Sequence, residues 1–137
     1  MADEREFQVK IITPDRLFYE GTVSMLEMVT TEGEMGIYKH HIPLTAIIAP
    51  GILKLHEADE VRVAALHSGF VVVMPEEITV LADAVEWPDE IDTNRAEEAR
   101  IRAERRLKSE TSGEIDTVRA EMALRRSLTR LQVAGKR

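Results

Sequence analysis

AVEWPDEIDTNRAEEA, residues 84–99, is where one sequence grammar gives way to another. Trp87 is the last aromatic residue of the chain and Pro88 its last proline. Before them, short apolar runs alternate with turn residues: FQVKIIT (7–13), TVSMLEMVT (22–30), PLTAIIA (43–49), ILKLHE (52–57), VRVAALH (61–67), FVVVM (70–74) and EITVLAD (77–83). Val61, Val63 and Ala65 alternate, as do Ile78, Val80 and Ala82, which is the period of a strand with one buried face. Many short strands with regular turn signals predict an antiparallel β-sandwich or barrel.

After Pro88 the chain has no proline and only two glycines, and it is rich in Ala, Glu, Arg and Leu, all good helix formers. Gly113 marks the one interruption, so the spacing predicts two helices, over 92–108 and 114–133. Asp92 suits the first N-cap, and Thr111 with Glu114 fits a capping box for the second. A short connection favours an antiparallel hairpin. The expected fold class is mixed, β then α: a β-domain over residues 1–88 and a helical hairpin over 89–137.

The quoted stretch also contains half of an internal repeat. EIDTNRAEEA (90–99) and EIDTVRAEMA (114–123) share eight of ten letters. Each copy opens a helix, with Ile-Asp as anchor and cap and Arg-Ala-Glu as the first turn. Ala96, Ala99 and Ala103 then mark one face of the first helix, and Ala120, Ala123, Leu124, Ser127, Leu128 and Leu131 a stripe on the second. Small residues let the backbones approach, but alanine buries little area at about 25 cal/mol per Å². Such a seam is weak and able to open.

Arginines flank both stripes. Arg95 and Arg102 are seven apart on the first helix; Arg126 and Arg130 are four apart on the second, with Arg119 in line. A closed hairpin would gather guanidinium groups beside one groove, and planar guanidinium suits phosphate oxygens. The competing reading has these arginines solvated or paired along their own helices, through Glu98–Arg102 and Glu121–Arg125 at i,i+4 spacing. Net charge divides in the same way: residues 1–89 carry −10 and residues 90–137 carry +3. An acidic body with a basic end implies an acidic partner for the end.

Other functions find less support. The start, MADEREFQVK, is charged and unlike a signal peptide, and no run reaches the roughly 18–20 apolar residues needed to cross a bilayer. There is no cysteine, so disulfides and thiolate metal sites are excluded. Neither GxSxG nor a P-loop GxxxxGK[ST] occurs, and His67 and Ser68, adjacent on a strand, point to opposite faces. The four histidines lack ligand spacing, so no metal site is expected. An overall charge of −7, with only Trp87 near the basic end to stack bases, argues against nucleic acid.

ITP (12–14), EGEMGIYKHHIPL (32–44), ITVLAD (78–83) and IDTNRA (91–96), in that order, resemble the epsilon-subunit family of bacterial F-type ATP synthases. The resemblance implies a sandwich of about ten strands that docks on the gamma subunit and the c-ring, followed by a regulatory helical pair. It implies a non-catalytic subunit, peripheral on the cytoplasmic face of the bacterial plasma membrane and touching the membrane only through the complex. The helical pair would fold down, or extend toward the alpha and beta subunits and block ATP hydrolysis. It also implies ATP as a regulatory ligand of the folded hairpin, held by Glu86, Asp92, Arg95, Arg102, Arg126 and Arg130, with magnesium not required. Glu34 and His41 fall where the family touches the c-ring. One departure is LHSGF (66–70), where Ser68 stands in place of the first of two adjacent family glycines.

Overall fold

The computed structural model describes residues 5–109 and 114–135. Eight strands precede the helices: β1 (Phe7–Ile12), β2 (Leu17–Val23), β3 (Met25–Thr30), β4 (Gly33–Ile37), β5 (Leu44–Ile48), β6 (Gly51–His56), β7 (Val61–Val73) and β8 (Glu77–Glu86). They form a β-sandwich whose strands hydrogen-bond in the order β2-β1-β8-β7-β5-β3-β4, with β6 bridging β3 and β7. The resemblance implied about ten strands. The count is lower partly because VRVAALH and FVVVM belong to one strand, the 13-residue β7. The sheet is also not wholly antiparallel: β1 lies parallel to β8, Val9 opposite Ile78 and Ile11 opposite Val80, so the first and last strands are neighbours.

The core between the layers is mainly aliphatic, as an aromatic-poor chain requires, with Phe7, Phe18 and Tyr19 among its buried members. Val9, Ile11, Leu26, Leu53, Leu66 and Val80 are all sealed from solvent. Between β7 and β8 the register slips twice: Leu66 faces Val85, Ser68 faces Ala84 and Gly69 faces Ala82. His67 is therefore an extra residue on β7 and Asp83 an extra residue on β8, and the Ser68 hydroxyl donates to Asp83 Oδ2 at 3.0 Å. A bulge reverses which side chains face inward. Before it Ala64 and Leu66 enter the core; after it Val71 and Val73 do, and Phe70 is exposed. Gly69, with φ +137°, makes the close approach possible, because a Cβ there would sit 2.0 Å from the Leu81 carbonyl oxygen. One glycine suffices where the family pattern has two.

After a 3₁₀ turn at Pro88–Glu90 come α1 (Thr93–Lys108) and α2 (Glu114–Ala134), within a residue of the sequence expectation. Asp92 caps α1, its Oδ1 accepting from the Arg95 amide at 3.1 Å. The expected cap at Thr111 and Glu114 lies outside the described residues. The helices pack against each other, with Ala96, Ala103 and Ala120 buried, and α2 also lies on β6 and β7. This second contact gives α2 another buried side beside the expected stripe, of which Ala120 and Ser127 are buried. Val133 is buried with Ala65 and Ile91, while Leu128, expected in the seam, is 42% exposed. The hairpin is thus closed and seated on the sandwich.

Candidate functional site

A short connector, residues 87–91, fixes where the helices begin. Trp87 stacks on Phe18, with ring centroids 4.4 Å apart, and the Arg62 guanidinium lies 4.1 Å from the Trp87 ring centroid. Glu90 accepts from the Trp87 amide at 2.9 Å and binds the Arg16 guanidinium through both oxygens, at 2.9 and 2.7 Å. Ile91 is buried beside Val133 and Ala65. These contacts tie the connector to the sandwich, so α1 starts from a fixed point at Asp92.

Beside that point lies a cleft of about 410 Å³, lined by Glu86, Glu90, Asp92, Arg95, Ala96, Ala99, Arg102 and Arg130. A second cavity of about 150 Å³ continues it along the hairpin past Ala99 and Arg102 to Arg119, Ala120 and Ala123. Arg95 opposite Arg130 at one end, and Ala103 opposite Ala120 further on, show that the helices run antiparallel. Five of the six residues implied as nucleotide contacts meet here: Glu86, Asp92, Arg95, Arg102 and Arg130. Arg126, half-buried one turn before Arg130, lines neither cavity.

The lining holds three carboxylates and three guanidinium groups, so the expected cluster of like charge is in fact formally neutral. The carboxylates, however, are already engaged. Glu90 holds Arg16 and the Trp87 amide, and Asp92 caps α1. Glu86 Oε1 accepts from Arg130 Nε at 2.6 Å and from His67 Nε2 at 2.9 Å. Burial alone would raise the Glu86 pKa, but the hydrogen bonds from His67 and Arg130 and their charges outweigh it and hold the carboxyl below its ordinary value.

Arg95 and Arg102 form no ion pair among the described residues. The expected intrahelical pairs Glu98–Arg102 and Glu121–Arg125 are absent among them, and Glu97 and Glu104 bind Arg100 instead. Unspent hydrogen-bond capacity in the cleft is therefore mostly cationic, which suits an anion with several oxygens. Sequence reading missed Glu90 and His67, whose partners lie 74 and 19 residues away. His67 and Ser68 do point to different partners, Glu86 and Asp83.

Two other features concern partners. Glu34 is exposed on β4, and the His41 Nδ1 lies 2.9 Å from the Ile42 carbonyl oxygen in the loop before β5. That loop is set by His40, which adopts φ 64° and donates its amide to the Pro75 carbonyl at 2.7 Å. On the sheet, Ile47, Phe70 and Leu81 are paired neighbours across β5, β7 and β8, and all three side chains are exposed.

The sandwich and the helical pair each match a family model. Residues 6–88 match the ATP synthase delta/epsilon chain β-sandwich domain, and residues 89–135 the long α-helix domain of the same chain. The chain belongs to the ATP synthase epsilon-chain family. The family's relatives include the ATP synthase epsilon chain of Halalkalibacterium halodurans, 45% identical over 93% of this chain and 96% of that one. The epsilon chain of Caldanaerobacter subterraneus is 41% identical over 97% and 96%. Among solved structures, a chain of the Euglena gracilis mitochondrial ATP synthase, in a structure of its OSCP, F1 and c-ring, aligns with a TM-score of 0.79. It is 23% identical, over 94% of this chain and 81% of that one, a likeness of fold. This epsilon-family chain is thus a subunit of ATP synthase. Among its described residues no helix is long and apolar enough to cross a membrane.

Proposed function

We propose that this central-stalk subunit joins the stalk to the c-ring through its sandwich and restrains ATP hydrolysis through its helical pair, which ATP holds closed. The observation that carries the nucleotide reading is the meeting of Arg95, Arg102 and Arg130 in one cleft where Arg95 and Arg102 form no ion pair among the described residues and Arg130 is held only through its Nε. Triphosphate oxygens would take the free guanidinium donors, and the arginines would neutralise them without a required magnesium. ATP binding only the closed hairpin stabilises it by RT ln(1 + [L]/Kd), about 2.7 kcal/mol at a hundredfold excess over Kd, roughly a hundredfold shift. When ATP falls, the helices would leave the sandwich and meet the alpha and beta subunits, whose acidic segments suit the basic end.

The exposed stripe of Ile47, Phe70 and Leu81 supports docking on the gamma subunit, since apolar side chains lined up on one sheet face mark an interaction surface. The loop carrying His41, together with Glu34, is the proposed c-ring contact. The subunit would then sit peripherally on the cytoplasmic face of the bacterial plasma membrane, held there by the complex.

A second reading, a stalk subunit whose helices pack or inhibit without nucleotide, is favoured by the Glu86–Arg130 bond, which holds the hairpin with no ligand. One titration separates the two. Trp87, the sole tryptophan, follows Glu86 directly, so its fluorescence reports on the cleft. Saturable change or calorimetric heat with ATP supports the first reading; no binding at millimolar ATP leaves the second.

A further inference from the structure

Beside the cleft lies a buried polar residue that the nucleotide reading does not use. His67 is 1% exposed, at the bulge of β7, on the side of the strand that carries Ala65 toward the helices. A carboxylate only accepts hydrogen bonds, so the His67 Nε2 within 2.9 Å of Glu86 Oε1 must carry the hydrogen. The other ring nitrogen, Nδ1, has no hydrogen-bond partner among the described residues. Burying an unpaired ring nitrogen is unfavourable, and an aliphatic side chain would avoid that cost. What the histidine supplies in return is a donor beneath Glu86.

Both described hydrogen bonds to Glu86 land on Oε1, one from the sandwich and one from α2. Arg130 is held by its Nε, so its two terminal nitrogens form no bond among the described residues, and the residue lines the cleft. We propose that His67 is a positioning residue. It fixes the Glu86 carboxylate from below, Glu86 fixes Arg130, and the chain of three couples the sandwich to the seating of α2 and to the presentation of Arg130 in the cleft. The inference deepens the nucleotide reading and rests on it for the role of the cleft, but the coupling itself exists without ligand.

The test is amide hydrogen exchange across Thr129–Val133 in the full chain, without ligand. His67→Leu, which fills the space but has no donor, speeds exchange there about tenfold, the loss of one hydrogen bond to a charged acceptor. His67→Gln, whose amide can donate to Glu86, stays within about threefold of the parent. In a Glu86→Ala background the His67→Leu change adds nothing, because the shared acceptor is gone. Should His67→Leu fail to fold, His67→Ser replaces it, being too short to reach Glu86. Equal exchange in the Gln and Leu (or Ser) variants, or additive effects with Glu86→Ala, would overturn the proposal. ATP titration of the unmodified chain is a separate arm: no binding there defeats the nucleotide reading and leaves the exchange result to decide on His67.

Discussion

Replacing Arg102 by alanine separates ligand capture from hairpin seating. Arg102 lines both cavities along the hairpin, is exposed, and forms no ion pair among the described residues. Removing it therefore breaks no ion pair among the described residues, and the melting temperature should stay within about 2 °C. In the complex it would donate to phosphate oxygens. A charged hydrogen bond contributes about 1.5–3 kcal/mol when well buried, and exposure reduces that to roughly 1.5–2 kcal/mol. At 1.4 kcal/mol per decade the affinity for ATP should fall about 10- to 30-fold. Calorimetry or Trp87 fluorescence on the full chain measures this, with Arg105→Ala as the control. Arg105 is also exposed but lines neither cavity, so it removes the same charge without touching the cleft. Equal weakening by both variants would mean that ATP senses only net charge. Unchanged affinity in Arg102→Ala, in a parent chain that binds ATP, would remove Arg102 from the site.

Three further expectations concern the scaffold. The Glu86 carboxyl titrates below its ordinary value near 4.5, so its contribution is fully present above that value and is lost as pH falls through the lowered one. The Glu86 contribution to exchange protection of α2 should then persist down to the ordinary carboxylate range and be lost only below it; a loss already complete at pH 6 would contradict it. Val133→Ala removes two methyl groups from a site fully sealed from solvent and should loosen the hairpin by about 1.6 kcal/mol or more, with exchange in the sandwich unchanged. Gly69→Ala places a Cβ against the Leu81 carbonyl in a backbone region that side chains avoid, and should cost about 3 kcal/mol or more, read as a large drop in melting temperature.

The division of the chain was legible because proline and aromatic residues stop together at Trp87 and Pro88, and helix ends followed from Asp92 and Gly113. Local chemistry decides those features. The parallel pairing of β1 with β8 was not legible, since nothing in FQVKII names a partner 69 residues away. The bulge was equally hidden: β7 reads as two runs, and only its register with β8 reveals one strand with reversed phase. In the cleft, helical spacing brought Arg95, Arg102 and Arg130 together on paper and in the fold. Arg126 shares that spacing, yet it lines neither cavity. The seat of α2 on Ala65 was likewise out of reach, because a stripe of small residues cannot say that a helix has two neighbours.

The paired extra residues at His67 and Asp83 give each strand slack at this point. Without His67, Leu66, Gly69, Val71 and Val73 would stand at every second position of one regular strand, so the core face would survive while the donor beneath Glu86 was lost. Beyond the bulge there is no such slack: one residue gained or lost between Phe70 and Val73 would put every later side chain of β7 on the wrong face. Among descendants of this gene, changes of length within the strand should therefore fall at the bulge, and otherwise collect in the turns.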